Sequence, residues 1–338
     1  MITSLPAELR APMPAELRGL PRDGARLCVV DRAQRRITHT HVSDIGRHLR
    51  RGDLLVVNSS RTIPAALNGE RAGGSRVQVR PWVRRPSSWD VIAVSPLPPH
   101  APVPLHEGEV LHFPGGFVAR VAHRRDDLPS LWRLERVSGD GFASLLSSGE
   151  PIRYSYASAG VSIEHLQTVF ADHPGSAETP SAGRHLTWQL LLGLRHRGID
   201  VVDIVLHTGL SSTQDDDIDA THPLVEEWFS IPASAVRRIN AAQRVVAVGT
   251  SVVRALETAV DATTGRVSAC EGWTSLRIGR TTALRACHGL FSGLHEANGS
   301  HLDVVGAFLD RPLLEAAYAE CLTRRYLWHE FGDAMLVT

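Results

Sequence analysis

The hydrophobic pattern tightens at Arg22. "RLCVVD" (26–31) and "DLLVVN" (53–58) are short β-branched runs, and "HVSDIGRHLR" (41–50) between them has helix-like spacing with polar ends. The pattern predicts strand, helix, strand. The second run ends on Asn58, so Asn58 to Arg61 stand at a strand's carboxyl end, where open α/β sheets collect ligands. The first twenty residues carry "PAELR" twice, at 6–10 and 14–18, and read as a Pro- and Ala-rich, loosely held arm.

Between about 68 and 150 the pattern changes to alternation. "RVQVRPWV", "SWDVIAVS", "EVLHFPGGFVARVAHR" and "SLWRLERVS" interleave apolar with polar residues, and "GERAGGS", "SPLPPHAPVP" and "FPGG" supply turns. An antiparallel barrel or sandwich follows, inserted into the first unit. After Ile152 helices return: "TWQLLLGLRHRG" closed by Gly198, then a buried strand in "IDVVDIVLHTG" (199–209), a helix in "ASAVRRINAAQ" (233–243), a strand in "RVVAVGT" (244–250) and a helix in "SVVRALETAV". The expected fold is α/β: a mixed, largely parallel sheet layered with helices, plus an inserted antiparallel β-barrel. Residues 1–67 and 151–338 form the discontinuous α/β domain and residues 68–150 the barrel.

Composition narrows the classes. The 338 residues are 43% hydrophobic and 21% charged, which allows a large core, and 36 Lys and Arg balance 36 Asp and Glu. No global basic field pulls the chain onto nucleic acid, so an RNA contact must rest on a local patch. The cysteines at 28, 270, 287 and 321 lack the close pairs of a zinc site and read as reduced thiols. With no apolar run of about 18 residues and no signal-like leader, a cytoplasmic protein without membrane contact is expected.

Four stretches can carry chemistry. In "VVAVGTSVVRALETA" (245–259) a buried strand, the Gly249–Thr250–Ser251 turn and a helix follow one another. The turn reads either as an anion or nucleoside cradle at a helix amino end or as an ordinary turn with Ser251 as N-cap. Arg254 and Glu257, three apart, suit an ion pair or a ligand clamp. In "PSAGRHLTW" (180–188) Gly183 permits an unusual turn, Thr187 is a candidate N-cap, and His185 is either a base or donor at the helix mouth or a surface histidine. "VLHTGL" places His207 at a strand's carboxyl end. Glu227 beside Trp228 is either a desolvated carboxylate or a packed rim residue, and Asp215 to Asp217 read as a solvated loop. Despite 17 histidines there is no HExxH or CxxC, and GxSxG, Walker and GxGxxG motifs are missing too, so metal, serine-hydrolase, P-loop and plain dinucleotide chemistry lack their signatures.

Seven blocks together resemble one family. "PRDGARLCVVDR", "ITHTHVSDIGRHLRRGDLLVVNSSRTIPAAL", "HLQTVFADHPGSAETPSAGRHLT", "LHTGL", "INAAQRVVAVGTSVVRALETA", "EGWTSLRI" and "FGDAMLV" run in the order of the S-adenosylmethionine:tRNA ribosyltransferase-isomerases of queuosine biosynthesis, from about residue 21 to 337. The resemblance implies an α/β layer with an inserted barrel and S-adenosylmethionine as co-substrate, without a metal. It implies that a base removes a proton beside the sulfonium and adenine leaves as the ribose opens. The aminomethyl amine of 7-aminomethyl-7-deazaguanine in the tRNA wobble position then attacks, and methionine departs as the epoxide-bearing cyclopentane of epoxyqueuosine forms. His185 and His207 are then candidate bases, with Glu227 as a third catalytic candidate. Asn58, Arg61, Gly183, Gly249, Thr250, Ser251 and Arg254 are candidate co-substrate contacts, and a monomer is expected.

The chain departs from the family pattern at several points. Ser59 replaces an acid after Asn58, Arg184 stands where an apolar residue is expected, and residues 211–217 read "SSTQDDD". Of a His-x-Met-His-Ser-Glu block only His222 and Glu227 remain, with Val225 in the second His position, and "GLHEA" keeps His295 but loses Asn, Phe and Pro. These departures leave open a small deazapurine-type acceptor in place of tRNA, or a noncatalytic nucleoside- or RNA-binding descendant.

Overall fold

A computed structural model describes residues 5–153, 156–158, 160–211, 225–296 and 300–338. Among them a nine-stranded sheet runs in the order Cys270–Thr274, Glu227–Ile231, Asp200–Leu206, Asp53–Asn58, Arg244–Val248, Gly289–Gly293, Ala334–Val337, Arg26–Asp31 and Arg36–His41. Pairing is parallel from Asp200–Leu206 through Asp53–Asn58 and Arg244–Val248 to Gly289–Gly293, and again between Arg26–Asp31 and Ala334–Val337. The remaining pairs are antiparallel, which makes the sheet mixed.

The central strand explains the layering. All six residues of Asp53–Asn58 are buried. Leu54 and Val56 enter one core, with the helices Thr250–Thr258 and Arg311–Thr323, while Leu55 and Val57 enter the opposite core under Trp188–His196. Alternate side chains of a strand point to opposite faces, so a continuous apolar run marks a strand covered on both. Each such side chain contributes roughly 1.5–3 kcal/mol by leaving water.

Six further strands close a barrel in the order Trp132–Ser138, Ser88–Val94, Arg76–Arg84, Leu67–Glu70, Val110–His112 and Val118–Arg124, with every neighbour antiparallel. Its core is the apolar half of the alternating pattern, including Val77, Val79, Val91, Leu111, Val121 and Leu134.

Three local expectations change. "HVSDIGRHLR" forms a short 3₁₀ helix, Val42–Arg47, preceded by the edge strand Arg36–His41. Gly46 allows that tight packing, because a Cβ there would come within 3.1 Å of Leu194. The helix expected to cap on Ser251 starts at Thr250, with Gly249 as N-cap. The amino-terminal arm is not loose: Leu9, Ala11 and Ala15 are buried, Leu9 O accepts from Trp328 N–H (2.8 Å), and Arg18 donates to Phe331 O (3.0 Å). Its apolar residues pack through two short 3₁₀ helices, Ala7–Leu9 and Ala15–Arg18, too brief to show a period in the sequence.

Candidate active site

The carboxyl ends of the four central parallel strands, at Leu206, Asn58, Val248 and Gly293, lie side by side. This is the edge of an α/β sheet where ligands bind. A cavity of about 160 Å³ opens there, walled by residues 208–211, 249–251 and 178–182, with Glu227, Arg254, His295, His301 and Glu330 completing the lining.

Gly249 makes the turn possible. Its φ of +96° lies in a region that side chains avoid, and its N–H donates to Phe291 O (2.8 Å). The helix it opens presents the N–H groups of Thr250 and Ser251, which have no acceptor among the described residues. A helix amino end of this kind favours an anion. Arg254, one turn on, pairs with the Glu227 carboxylate and donates to Leu276 O (3.0 Å), while Glu227 Oε1 accepts from Gly209 N–H (2.9 Å). Strand, turn and helix thus hold a guanidinium and a carboxylate rigidly at the cavity wall. Glu257 does not join them: it accepts from the N–H groups of Arg285, Ala286 and Cys287 and ties down that loop.

Two titratable groups at the cavity, Glu178 and Glu330, escaped the sequence reading, and a third, His295, stood there only as a retained family position. Burial pushes the Glu178 carboxyl up to about 7, against the N–H and hydroxyl of Ser211 (2.8 and 3.0 Å), which favour its charged form. Burial also pushes Glu330 up to about 7, and its Oε2 is buried with no hydrogen-bond partner among the described residues. His295, held well below its usual range by burial and by neighbouring His301 and His329, stands 2.7 Å from Ser292 Oγ and stacks on His301 (5.1 Å). His301 Nδ1 lies 3.0 Å from Thr250 Oγ1. The available signal was a charged residue inside the small-residue run "GSAETPSAG"; nothing local marks Glu330, which is 152 residues further on.

The structure therefore gathers Gly249, Thr250, Ser251, Arg254 and Glu227 and leaves the other expected residues outside. Asn58 is spent on the backbone, donating to Leu206 O (2.8 Å) and accepting from the N–H groups of Leu206 and Ser60 (3.0 Å each). Arg61 is exposed on the strand Ser60–Thr62. Gly183 answers a packing need, since a Cβ would meet Phe170 at 2.7 Å. His185 is 4% exposed behind the wall and edge-on to Phe291, with burial holding its ring down to about 4. Arg184 is buried too, bonded to Glu16 (3.0 Å) and His165 O (2.6 Å), so it marks no acceptor contact. His222 and Asp215 to Asp217 lie outside the described residues.

His207 faces a different opening. Adjacent strand residues point to opposite sides, so Glu227 enters the first cavity while Trp228 enters a cleft of about 580 Å³ between barrel and sheet. There His207 stacks on Trp228 (5.0 Å) and shares a 2.8 Å hydrogen bond with Ser60 Oγ, and burial with the field of Arg84 lowers it to about 4.

The family model described as queuosine biosynthesis protein matches residues 3–337. The S-adenosylmethionine:tRNA ribosyltransferase-isomerase of Rubrobacter xylanophilus is 35% identical, covering 98% of this chain and 95% of that one. Its namesake from Thermus thermophilus is 36% identical over 94% and 93%. The crystal structure of the S-adenosylmethionine tRNA ribosyltransferase from Thermotoga maritima aligns with 26% identity and a TM-score of 0.54, covering 99% of this chain and 98% of that one. The chain belongs to the queuosine biosynthesis protein family.

Proposed function

We propose that the chain is an S-adenosylmethionine:tRNA ribosyltransferase-isomerase that moves the ribosyl part of S-adenosylmethionine onto the aminomethyl group of 7-aminomethyl-7-deazaguanine in tRNA, releasing adenine and methionine. The observation that carries this reading is the cavity at the parallel strand ends, where an anion-favouring helix mouth and near-neutral carboxyls meet. The co-substrate's carboxylate pairs with the Thr250–Ser251 amino end, and the Arg254–Glu227 pair orients the groups beside it.

Removal of a proton beside a sulfonium calls for a base poised near neutral pH. Glu178 and Glu330 meet that demand inside the cavity, whereas His185 and His207 stand outside it and are held down to about 4. This moves the base from the histidines to the carboxyls. Arg184, whose departure argued for a different acceptor, is occupied by Glu16, which removes that argument against tRNA. An enzyme on tRNA works where tRNA is, in the cytoplasm. Among the described residues no helix is long and apolar enough to cross a membrane.

Mass spectrometry after incubation with S-adenosylmethionine and precursor-bearing tRNA tests the reaction. A tRNA mass gain with matching adenine and methionine release is expected, and adenine release without any tRNA gain overturns the proposal. Because the deprotonated carboxylate is the base, kcat/KM rises as pH climbs through about 7. Glu178→Gln or Glu330→Gln removes that limb and costs about 10²-fold or more in rate; if both variants keep it, the base lies elsewhere.

A further inference from the structure

The cleft that holds His207 and Trp228 continues beyond them. Arg84, Arg85, Pro86, Ser87 and Phe142 line it and also line a second hollow of about 380 Å³, which Arg136 lines as well. The two adjoin through these shared residues as one trough that runs from the seam between barrel and sheet onto the barrel, separated from the first cavity by the ends of the strands Asp200–Leu206 and Glu227–Ile231.

Two features of this trough point to a ligand. Arg84 donates to Gly175 O and stands 5.1 Å over the Phe142 ring, yet among the described residues it pairs with no carboxylate. Desolvation alone accounts for its lowered affinity for its proton, down to about 10. A desolvated guanidinium without a counter-ion is costly and calls for an anion. Independently, Trp228 and Trp273 face each other directly across the antiparallel pair, and both open into the cleft. Trp273 is 39% exposed, with the Arg85 guanidinium 4.8 Å from its ring centroid. Arg85 itself is held by Glu226 and approaches Asp90 (3.5 Å), so it is fixed as a side wall, whereas exposed Arg136 pairs with no carboxylate among the described residues.

A cation with no carboxylate partner among the described residues, in one cleft with two cross-strand tryptophans, matches the two halves of a nucleotide: phosphate and base. We propose that this trough docks the single-stranded nucleotides flanking the modified base in the tRNA anticodon loop, with a phosphate at Arg84 and a base on the Trp228–Trp273 face. The proposal rests on the tRNA acceptor reading above. Duplex RNA keeps its bases stacked on one another and offers no free ring face, which selects a loop. Docking here lets the target base turn over the strand ends into the first cavity, whose wall the neighbouring residues Thr208, Gly209 and Glu227 supply. It also answers the zero net charge: recognition falls to a local patch and not to a global field.

Fluorescence anisotropy with a labelled anticodon stem–loop RNA, titrated across salt concentrations, tests the surface. Arg84→Gln is expected to weaken binding about tenfold and to flatten the slope of log affinity against log salt by about one. Trp273→Ala is expected to weaken it about five- to tenfold at unchanged slope. Calorimetric affinity for S-adenosylmethionine stays at the wild-type value in both. If Arg84→Gln fails to fold, Trp273→Ala and Arg136→Ala, both at exposed positions, carry the test. Wild-type stem–loop affinity in the variants, or equal binding of a blunt RNA duplex, overturns the docking surface. Loss of RNA binding in the variants beside a wild type that never releases adenine upholds the surface and removes the catalytic reading instead. A wild type that binds no stem–loop overturns both.

Discussion

Arg184 stays charged in a nearly dry site because Glu16 reaches it from the amino-terminal arm, 168 residues away in sequence. Burial alone raises the Glu16 carboxyl, and the Arg184 and Arg22 guanidiniums reverse this, leaving it below the usual carboxylate range. Removing one partner of a buried pair costs about 3–5 kcal/mol when the other charge is left uncompensated, whereas apolar side chains in place of the buried charges are often neutral when none is stranded. Glu16→Ala is therefore expected to lose about 3 kcal/mol in urea unfolding. Arg184→Leu stays within about 1 kcal/mol, because Glu16 keeps Arg22 (2.8 Å) and the Phe331 ring accepts an apolar neighbour. A larger loss from Arg184→Leu than from Glu16→Ala contradicts this account. The residue was conspicuous in the sequence as a charge in a small-residue run, but its partner was not legible there. Spacing along the chain reports local contacts only, so the residue invited a role in acceptor recognition that its packing does not support.

At the scale of elements, the strand–turn–helix around Gly249 shows what local pattern does reveal. Four β-branched or small residues in Arg244–Val248 followed by Gly-Thr-Ser announce a buried strand and a helix mouth, and both form. Gly249→Ala tests the turn itself. Space is available, since the nearest atom to a new Cβ is Ala182 Cβ at 3.5 Å, but φ of +96° strains any side-chain-bearing residue. The cost is about 1–3 kcal/mol, and relaxing it tilts the first helical turn. The expected outcome is a lower Tm and at least a tenfold rise in KM for S-adenosylmethionine, with kcat less affected. Unchanged KM removes the turn from the binding site. Elements without a strong period were harder to read. "RITHTH" is half-buried between two exposed ends, so its polar residues conceal an edge strand, and "HVSDIGRHLR" resembles a helix only until Gly46 tightens it. His185 and His207 were visible as residues near the right loops; which side of the wall each faces depends on strand alternation and on a turn that spacing does not determine.

The whole molecule is joined along the seam that bears the trough. The barrel's hydrophobic cluster includes Ala177, Leu210 and Val225, which lie outside the barrel strands in sequence. Trp82 from the barrel closes on Gly209, where a Cβ would come within 2.4 Å of the indole, and Arg84 and Arg85 cross to Gly175 O and Glu226. The α/β part thus completes the barrel's apolar interior, so barrel and sheet are expected to unfold in one transition. Calorimetry should give a van't Hoff enthalpy equal to the calorimetric one, with circular dichroism and tryptophan fluorescence coincident. Gly209→Ala drives a methyl into the Trp82 ring and should cost about 1–3 kcal/mol. Because Gly209 also holds Glu227 by its N–H, the same change should reduce turnover along with Tm. The decisive result is the shape of the variant's melt. One shifted transition means the seam is part of a single cooperative core, whereas a second, earlier transition appearing in the variant means that barrel and sheet fold as separate units and that the trough is only their loose contact.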